Sequence, residues 1–226
     1  MSAYGNRLVI AMDGPSGSGK SSVAKAVAQH YNLAYLDTGA MYRALTWYCL
    51  AQKVDLEDEA AVAEAAQNFP LSQGTTPDAE IIEVDGVDVV DAIREPVISE
   101  NVSAVASKRA VRDILIRMQR DAMKNSGYRM VAEGRDITTV VAPDADARIL
   151  LTASEEVRLA RRGLQLGGTQ STQQLSAQVS ARDAKDSKVN NFTEAAPGVT
   201  LIDSSDLNFE ETIAAVIAAV EEARGA

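Results

Sequence analysis

A glycine-rich segment near the amino terminus restricts the fold of this chain more than any other stretch. Its residues are Gly14, Pro15, Ser16, Gly17, Ser18, Gly19, Lys20, Ser21 and Ser22. The first eight match the pattern Gly-x4-Gly-Lys-Ser/Thr. An aliphatic run at residues 8–12 precedes the segment and predicts a buried strand, and apolar residues recur at helical spacing directly after it, at Val23, Ala24, Val27 and Ala28. The pattern therefore predicts a strand, a phosphate-binding loop (P-loop) and a helix in direct succession.

The composition of this loop suits a nucleoside triphosphate. Glycines let backbone N–H groups close around a β-phosphate at a helix amino terminus, where the peptide dipoles favour negative charge. Lys20 would add a positive charge on the β and γ oxygens, and the Ser21 hydroxyl would complete the shell of a Mg²⁺ ion that accompanies ATP. The alternative is a Gly/Ser loop that only turns the chain. The flanking strand and helix favour the nucleotide site.

The rest of the chain alternates between strands and helices, with one interruption. Short strands are predicted at residues 33–36, 130–132, 147–151 and 199–202. The first of them follows the strand at 8–12 across a crossover helix, which predicts a parallel sheet, and helical patterns occur between most of the others. Between residues 54 and 107 an acidic, alanine-rich helix is followed by two strand-like runs that flank Asp85-Gly86, a strong hairpin signal. We expect this region to be an insert on an α/β core.

Composition limits the partners of the protein. Of its 226 residues 46% are hydrophobic and 24% charged, as in ordinary globular proteins, and the net charge of −10 argues against a nucleic-acid surface. Cys49 is the only cysteine, so an intrachain disulfide is excluded. No run approaches the roughly 18 apolar residues of a membrane span. We expect a cytoplasmic monomer without nucleic-acid or membrane partners.

Further motifs distinguish this chain from other nucleotide-binding proteins. The guanine-binding Asn-Lys-x-Asp of GTPases and the Leu-Ser-Gly-Gly-Gln of transport ATPases are absent. Characteristic segments instead occur at residues 13–20, 36–43 (Leu-Asp-Thr-Gly-Ala-Met-Tyr-Arg), 133–136 (Glu-Gly-Arg-Asp) with 139–141, 158–166, 182–187 and 202–205. In their order and spacing these segments resemble the bacterial cytidylate kinases over nearly the whole chain.

This resemblance implies a three-layer α/β fold of the P-loop NTPase type, with a central parallel sheet, a monophosphate-binding insert and a short helical lid. The division that we expect is a core with the P-loop at residues 1–53, the insert at 54–107, core at 108–153, the lid at 154–170 and core at 171–226. The alternation of strands and helices agrees with this division.

The resemblance also implies a set of CMP-binding residues: Thr38, Tyr42, Arg43, Ser103, Arg112, Arg135, Asp136, Arg182 and Asp186. Arginine suits the acceptor phosphate because its planar fork of donors matches phosphate oxygens. Cytosine presents an exocyclic amine donor and acceptor atoms, which a carboxylate and a cation can read, here Asp136 and Arg112. A helix surface would account for Arg112 and Ser103 equally well.

Arginines of the predicted lid complete the expected catalytic set. Arg158 and Arg162 are four residues apart and share a helix face, so both can point at the triphosphate, and with Lys20 and Arg135 they would stabilise a transferring phosphoryl group. A solvated basic face is the alternative. One departure from the family is Val189, which stands where an arginine is usual and puts base contacts on that side of the pocket in doubt.

The implied activity is transfer of the γ-phosphoryl group of ATP to CMP or dCMP, giving CDP or dCDP, in pyrimidine nucleotide metabolism. Other P-loop kinases of small acceptors, of the UMP/CMP, guanylate or shikimate type, remain alternatives, because the P-loop does not determine the acceptor. A nucleotide-dependent switch protein is a further alternative, which the missing switch motifs disfavour.

Overall fold

The computed structural model describes residues 7–165 and 194–225. The strands in these ranges are β1 (Leu8–Asp13), β2 (Ala34–Asp37), β3 (Leu71–Gln73), β4 (Ile82–Val84), β5 (Val87–Asp88), β6 (Arg129–Gly134), β7 (Ala147–Thr152) and β8 (Thr200–Asp203). The α-helices are α1 (Lys20–His30), α2 (Thr38–Ala51), α3 (Glu59–Gln67), α4 (Pro96–Ala106), α5 (Arg109–Asn125), α6 (Glu155–Gln165) and α7 (Phe209–Gly225). A short 3₁₀ helix spans Ala92–Arg94, and a π-helical turn spans Ile137–Val141.

Five strands form the central sheet, and all neighbouring pairs are parallel. Their order is β2-β6-β1-β7-β8, so β1 lies in the middle and is buried along its whole length. The predicted parallel sheet is confirmed. Parallel strands end at the same edge, so the loop that follows β1 meets the carboxyl ends of β2, β6 and β7 there.

Helices cover both faces of this sheet, as the alternation of side chains along β1 shows. Leu8, Ile10 and Met12 pack against residues of α1 and α7, whereas Val9 and Ala11 pack in a cluster that contains residues of α2, α5 and the π-helical turn. Successive side chains of a strand point to opposite faces, so β1 contributes to two cores at once. The result is the expected three-layer arrangement.

A second, smaller sheet lies within residues 54–107. Its antiparallel order is β3-β4-β5, and β4 and β5 are joined by Asp85 and Gly86, whose φ angles of 53° and 75° are both positive. Paired positive φ angles suit the tight turn that matches strand twist, so the predicted hairpin is confirmed. The sequence did not predict β3 or α4. Buried residues of this sheet pack with α2, α3 and α5 in a core of their own.

The remaining predicted elements agree with the structure within a few residues where it describes them. The helix predicted around residues 111–118 extends over Arg109–Asn125, and the helix predicted at residues 154–166 is α6. The second helix expected beyond the lid, at residues 172–184, lies outside the described residues. Within the described ranges, no helix combines the length and the apolar character that crossing a bilayer requires.

Candidate active site at the carboxyl edge of the sheet

The P-loop connects β1 to α1 in a conformation that needs its glycines. Gly17 and Gly19 have φ angles of 78° and 86°, in the region that side chains other than glycine rarely adopt. A Cβ atom on Gly14 would overlap the carbonyl oxygen of Leu151, so the loop also lies too close to β7 for a larger residue. Helix α1 begins at Lys20 without a side-chain cap, which leaves its amino end available to an anion.

Lys20 and Ser21 lie beside a buried carboxylate, Glu133, at the end of β6. The Ser21 hydroxyl donates to Glu133 Oε1 at 2.6 Å, the Tyr35 hydroxyl donates to the same oxygen at 3.1 Å, and Lys20 Nζ lies 3.9 Å from Glu133 Oε2. Burial and the nearby charge of Asp37 raise the pKa of Glu133. The sequence showed Glu133 only as part of a motif. Its role at the loop depends on the pairing of β6 with β1, which the neighbouring residues in the chain do not reveal.

Asp37 fixes the start of α2 and holds Arg43. Its carboxylate accepts from the Ala40 amide at 2.8 Å and from Arg43 Nη2 at 3.1 Å. Burial alone would raise the pKa of Asp37, but Arg43, the Ala40 amide and Lys20 hold it below its ordinary value. Thr38 is almost fully buried, and its hydroxyl donates to the carbonyl of Glu133 at 2.8 Å, so in this structure it joins β6 to α2.

A cavity of about 360 Å³ opens in front of the P-loop. Its charged lining comprises the cations Lys20, Lys25, Arg43, Arg94, Arg135 and Arg162 and the carboxylates Asp37, Glu80 and Glu133. Six positive groups against three negative ones make this cavity basic, although the whole chain carries a net charge of −10. A local excess of positive charge in an acidic protein is what a site for a phosphate-bearing ligand requires.

Three arginines donate to carbonyl oxygens of the P-loop. Arg135 Nη1 donates to Gly14, Arg158 Nη1 to Ser16 at 2.8 Å, and Arg161 Nη1 to Ser18 at 3.0 Å. Arg161 also bonds to Ser204, so α6 is tied to the loop after β8. The sequence did not single out Arg161 as a site residue, because helical spacing alone does not show which of two adjacent arginines faces the loop.

Arg162 occupies a different environment from its neighbours on α6. It lines the cavity, and burial together with the charges of Arg43 and Arg94 lowers its pKa. Arg158 and Arg162 therefore both face the P-loop side of α6. Arg158 contacts the loop backbone, whereas Arg162 faces the cavity. Arg94, from the 3₁₀ helix at Ala92–Arg94, is a cavity residue that the sequence did not single out.

The residues expected to read the base form a second cluster. Arg112 Nη2 lies 2.6 Å from Asp136 Oδ2, with side chains 14% and 9% exposed, and burial raises the pKa of Asp136 although Arg112 opposes this. Burial together with the charge of Asp136 raises the pKa of Tyr42. The structure thus brings Tyr42, Arg112 and Asp136 together, beside the residues that line the cavity rather than among them.

The structure describes one of the other expected CMP-binding residues. Ser103 lies on α4 and is half-buried. Arg182, Asp186 and the variant position Val189 lie outside the described residues.

Asp13 joins the end of β1 to the turn that follows Arg135 and Asp136. Its buried carboxylate accepts from the amides of Ile137 at 2.9 Å and Thr138 at 2.8 Å, and from the Thr138 hydroxyl at 2.6 Å. Burial raises its pKa, while these three donors oppose the shift. The sequence gave no sign of this role, because Asp13 and Thr138 are far apart along the chain.

Comparison with known proteins identifies the family. A family model described as cytidylate kinase matches residues 10–222. The chain belongs to the cytidylate kinase family. Among its curated relatives are proteins named cytidylate kinase from Streptomyces avermitilis, 43% identical over 97% of this chain and 95% of the relative, and from Nocardia farcinica, 47% identical over 91% of this chain and 90% of the relative.

A solved structure supports the fold independently. An uncharacterized protein from Eubacterium ventriosum superposes with a TM-score of 0.53, covering 95% of this chain and 99% of that protein at 12% identity. At this identity the likeness supports the architecture and carries no information on the acceptor.

Proposed function

We propose that the protein transfers the γ-phosphoryl group of ATP to CMP or dCMP, giving CDP or dCDP. The observation that carries the proposal is a single basic cavity that is shared by Lys20 of the P-loop and by Arg43 and Arg135 of the segments that match the cytidylate kinases. A donor site and an acceptor site that open into one cavity are the geometry that direct phosphoryl transfer needs.

On the donor side, the amides of residues 14–22 and Lys20 would hold the triphosphate. Oxygen atoms of Ser21, Glu133 and Asp37 that could act as metal ligands border the cavity beside Lys20. Mg²⁺ binds hard oxygen ligands of this kind, so the residues present fit it. When bound, the ion would neutralise charge on the phosphate oxygens, and Lys20 would add a further positive charge there.

On the acceptor side, Arg43 and Arg135 would bind the monophosphate, and Arg112 with Asp136 would read the base. The existing Arg112–Asp136 contact supports this assignment, because a carboxylate held by a guanidinium stays oriented to accept from the cytosine amine. Tyr42 would form a wall of this pocket from α2. Ser103, and Arg182 with Asp186 near the sugar, remain assignments by family resemblance.

The chemistry requires no general base from the protein. The second pKa of a phosphate monoester is about 6, so the attacking oxygen of CMP is already ionised near neutral pH. Arg135 and Arg162 would neutralise the transferring group, while Arg158 keeps the loop in shape through Ser16. Closure of an insert at residues 54–107 and a lid at 154–170 over the core would exclude water, which would otherwise accept the phosphoryl group.

Turnover of ATP with a panel of acceptors tests the proposal. ADP release is measured with CMP, dCMP, UMP, GMP, AMP and shikimate in turn, at equal concentrations and with Mg²⁺ present. We expect CMP and dCMP to give the highest kcat/KM. Faster turnover with GMP, UMP or shikimate would refute the acceptor assignment, and hydrolysis that no acceptor accelerates would support a switch protein instead.

A further inference from the structure

Arg120 of α5 holds the end of the π-helical turn Ile137–Val141. Its Nη2 donates to the carbonyl of Val140 at 2.7 Å, and its Nε donates to the carbonyl of Val141 at 3.0 Å. The last carbonyl groups of a helical turn have no partner within the turn, so a donor from another element must satisfy them. Arg120 does this for two consecutive carbonyl groups at once, which fixes the end of the turn against α5.

One peptide group connects Arg120 to Asp136. Its carbonyl, that of Val140, accepts from Arg120, and its amide, that of Val141, donates to the carbonyl of Asp136 at 3.1 Å. The Val140 amide donates to the same Asp136 oxygen at 2.9 Å. A peptide group is planar, so a donor bound on one side and an acceptor bound on the other fix its orientation. The main chain of Asp136 is therefore linked to Arg120 through a single rigid group.

The same helix also contacts the side chain of Asp136. Arg112 Nη2 lies 2.6 Å from Asp136 Oδ2, and Arg112 precedes Arg120 by about 12 Å along α5. Helix α5 thus holds the side chain of Asp136 through Arg112 and its main chain through Arg120. From the side of the sheet, Asp13 restrains the turn through the amides of residues 137 and 138. A carboxylate held in this way presents its free lone pairs in one fixed direction.

We propose that Arg120 is a positioning residue that sets the selectivity of the base site for cytosine over uracil. It does not line the cavity and acts on Asp136 through the Val140–Val141 peptide. The Asp136 carboxylate would accept from the exocyclic amine of cytosine, whereas uracil has a carbonyl oxygen at that place and offers no donor. Only a cytosine nucleotide therefore benefits from a correctly placed Asp136. This inference rests on the proposed function.

Calorimetric titration of the full chain with CMP and with UMP measures this selectivity without catalysis. Arg120→Met removes both donors and keeps a long apolar side chain. Losing a hydrogen bond from a charged donor typically changes an equilibrium about tenfold, so the Kd for CMP should rise about tenfold. The Kd for UMP and the KM for ATP should stay nearly unchanged. Arg120→Lys keeps the charge without the planar fork, so its Kd for CMP should lie between the two. If Arg120→Met does not fold, Arg120→Lys provides the same comparison of CMP with UMP.

The matched control is Arg117→Met, at an exposed position on α5, which should bind both nucleotides as the wild type does. In an Asp136→Ala protein, Arg120→Met should cause no further loss of CMP binding. A loss that persists there, or equal losses for CMP and UMP, would mean that Arg120 only stabilises the fold, and the inference would be wrong. An unchanged Kd for CMP in Arg120→Met, beside a wild type that binds and phosphorylates CMP, rejects the inference alone, whereas a wild type inactive with CMP rejects the proposed function.

Discussion

Thr138 provides a direct test of the link between β1 and the turn after Arg135 and Asp136. Its hydroxyl donates to Asp13 Oδ2 at 2.6 Å, and both side chains are almost fully buried. Thr138→Val keeps the shape of the side chain and removes this donor. A hydrogen bond to a charged group contributes about 1.5–3 kcal/mol, so we expect the free energy of unfolding to fall by that amount. For a protein of this size the melting temperature should fall by about 3–12 °C.

The loss should also depend on pH. Burial raises the pKa of Asp13 and the Thr138 hydroxyl lowers it, so removing the hydroxyl raises the folded-state pKa further without changing the unfolded one. The destabilisation is complete where Asp13 is ionised in both folded proteins. The destabilisation shrinks as pH falls through their pKa values, because the hydrogen bond from Thr138 stabilises a protonated Asp13 less than an ionised one.

Chemical denaturation of the full chain, followed from about pH 8 downward, measures both effects. The control is Thr46→Val on α2, which is equally buried but donates to the neutral carbonyl of Tyr42 at 2.8 Å. That variant should lose about 1 kcal/mol at every pH. A Thr138→Val protein as stable as wild type, or a loss that is the same at all pH values, would refute the argument that an ionised Asp13 fixes the turn.

Three further substitutions test the site. Lys20→Met should lower kcat by about 10²–10³-fold with an unchanged unfolding transition, and retained activity would remove the P-loop lysine from the mechanism. Arg112→Met should raise the KM for CMP far more than that for ATP, whereas equal changes would contradict its role as a base reader. Gly17→Ala should raise the KM for ATP, because its Cβ would meet the carbonyl of Arg158. The control is Gly86→Ala in the β4–β5 hairpin, where φ is also positive but the space around the glycine is open, so this variant should lower the stability of the protein without changing the KM for ATP.

The sequence predicted the features that depend on interactions between residues close together in the chain. The P-loop and its flanking strand and helix depend on residues that are adjacent in the chain, and so does the hairpin at Asp85 and Gly86, where positive φ angles follow from the residue types. The parallel sheet also followed, because strands separated by crossover helices have few other arrangements. Family resemblance supplied Arg43, Arg112, Arg135 and Asp136.

The features that the sequence did not reveal depend on contacts between distant segments. The run Ile137–Val141 is rich in β-branched residues, which favour strands, yet it forms a π-helical turn because Asp13 accepts its first two amides. Glu133 becomes important only when β6 lies beside β1. On α6, helical spacing placed Arg158 and Arg162 on one face, but only the docking of the helix shows that Arg158 contacts the P-loop backbone and that Arg161 does so as well.

The end of β1 explains how the donor and acceptor sites keep their spacing. Asp13 fixes the turn after Asp136, the next residue begins the P-loop, and Arg135 donates back to the carbonyl of Gly14. The loop that would hold ATP and the arginine that would hold CMP are therefore linked by the partly buried Arg135–Gly14 bond and by the buried Asp13, and packed interiors resist rearrangement. The ion pair between Arg94 and Glu80 at the mouth of the cavity is more exposed than these contacts. The rigid link between the two sites therefore lies at the end of β1 and not at the rim of the cavity.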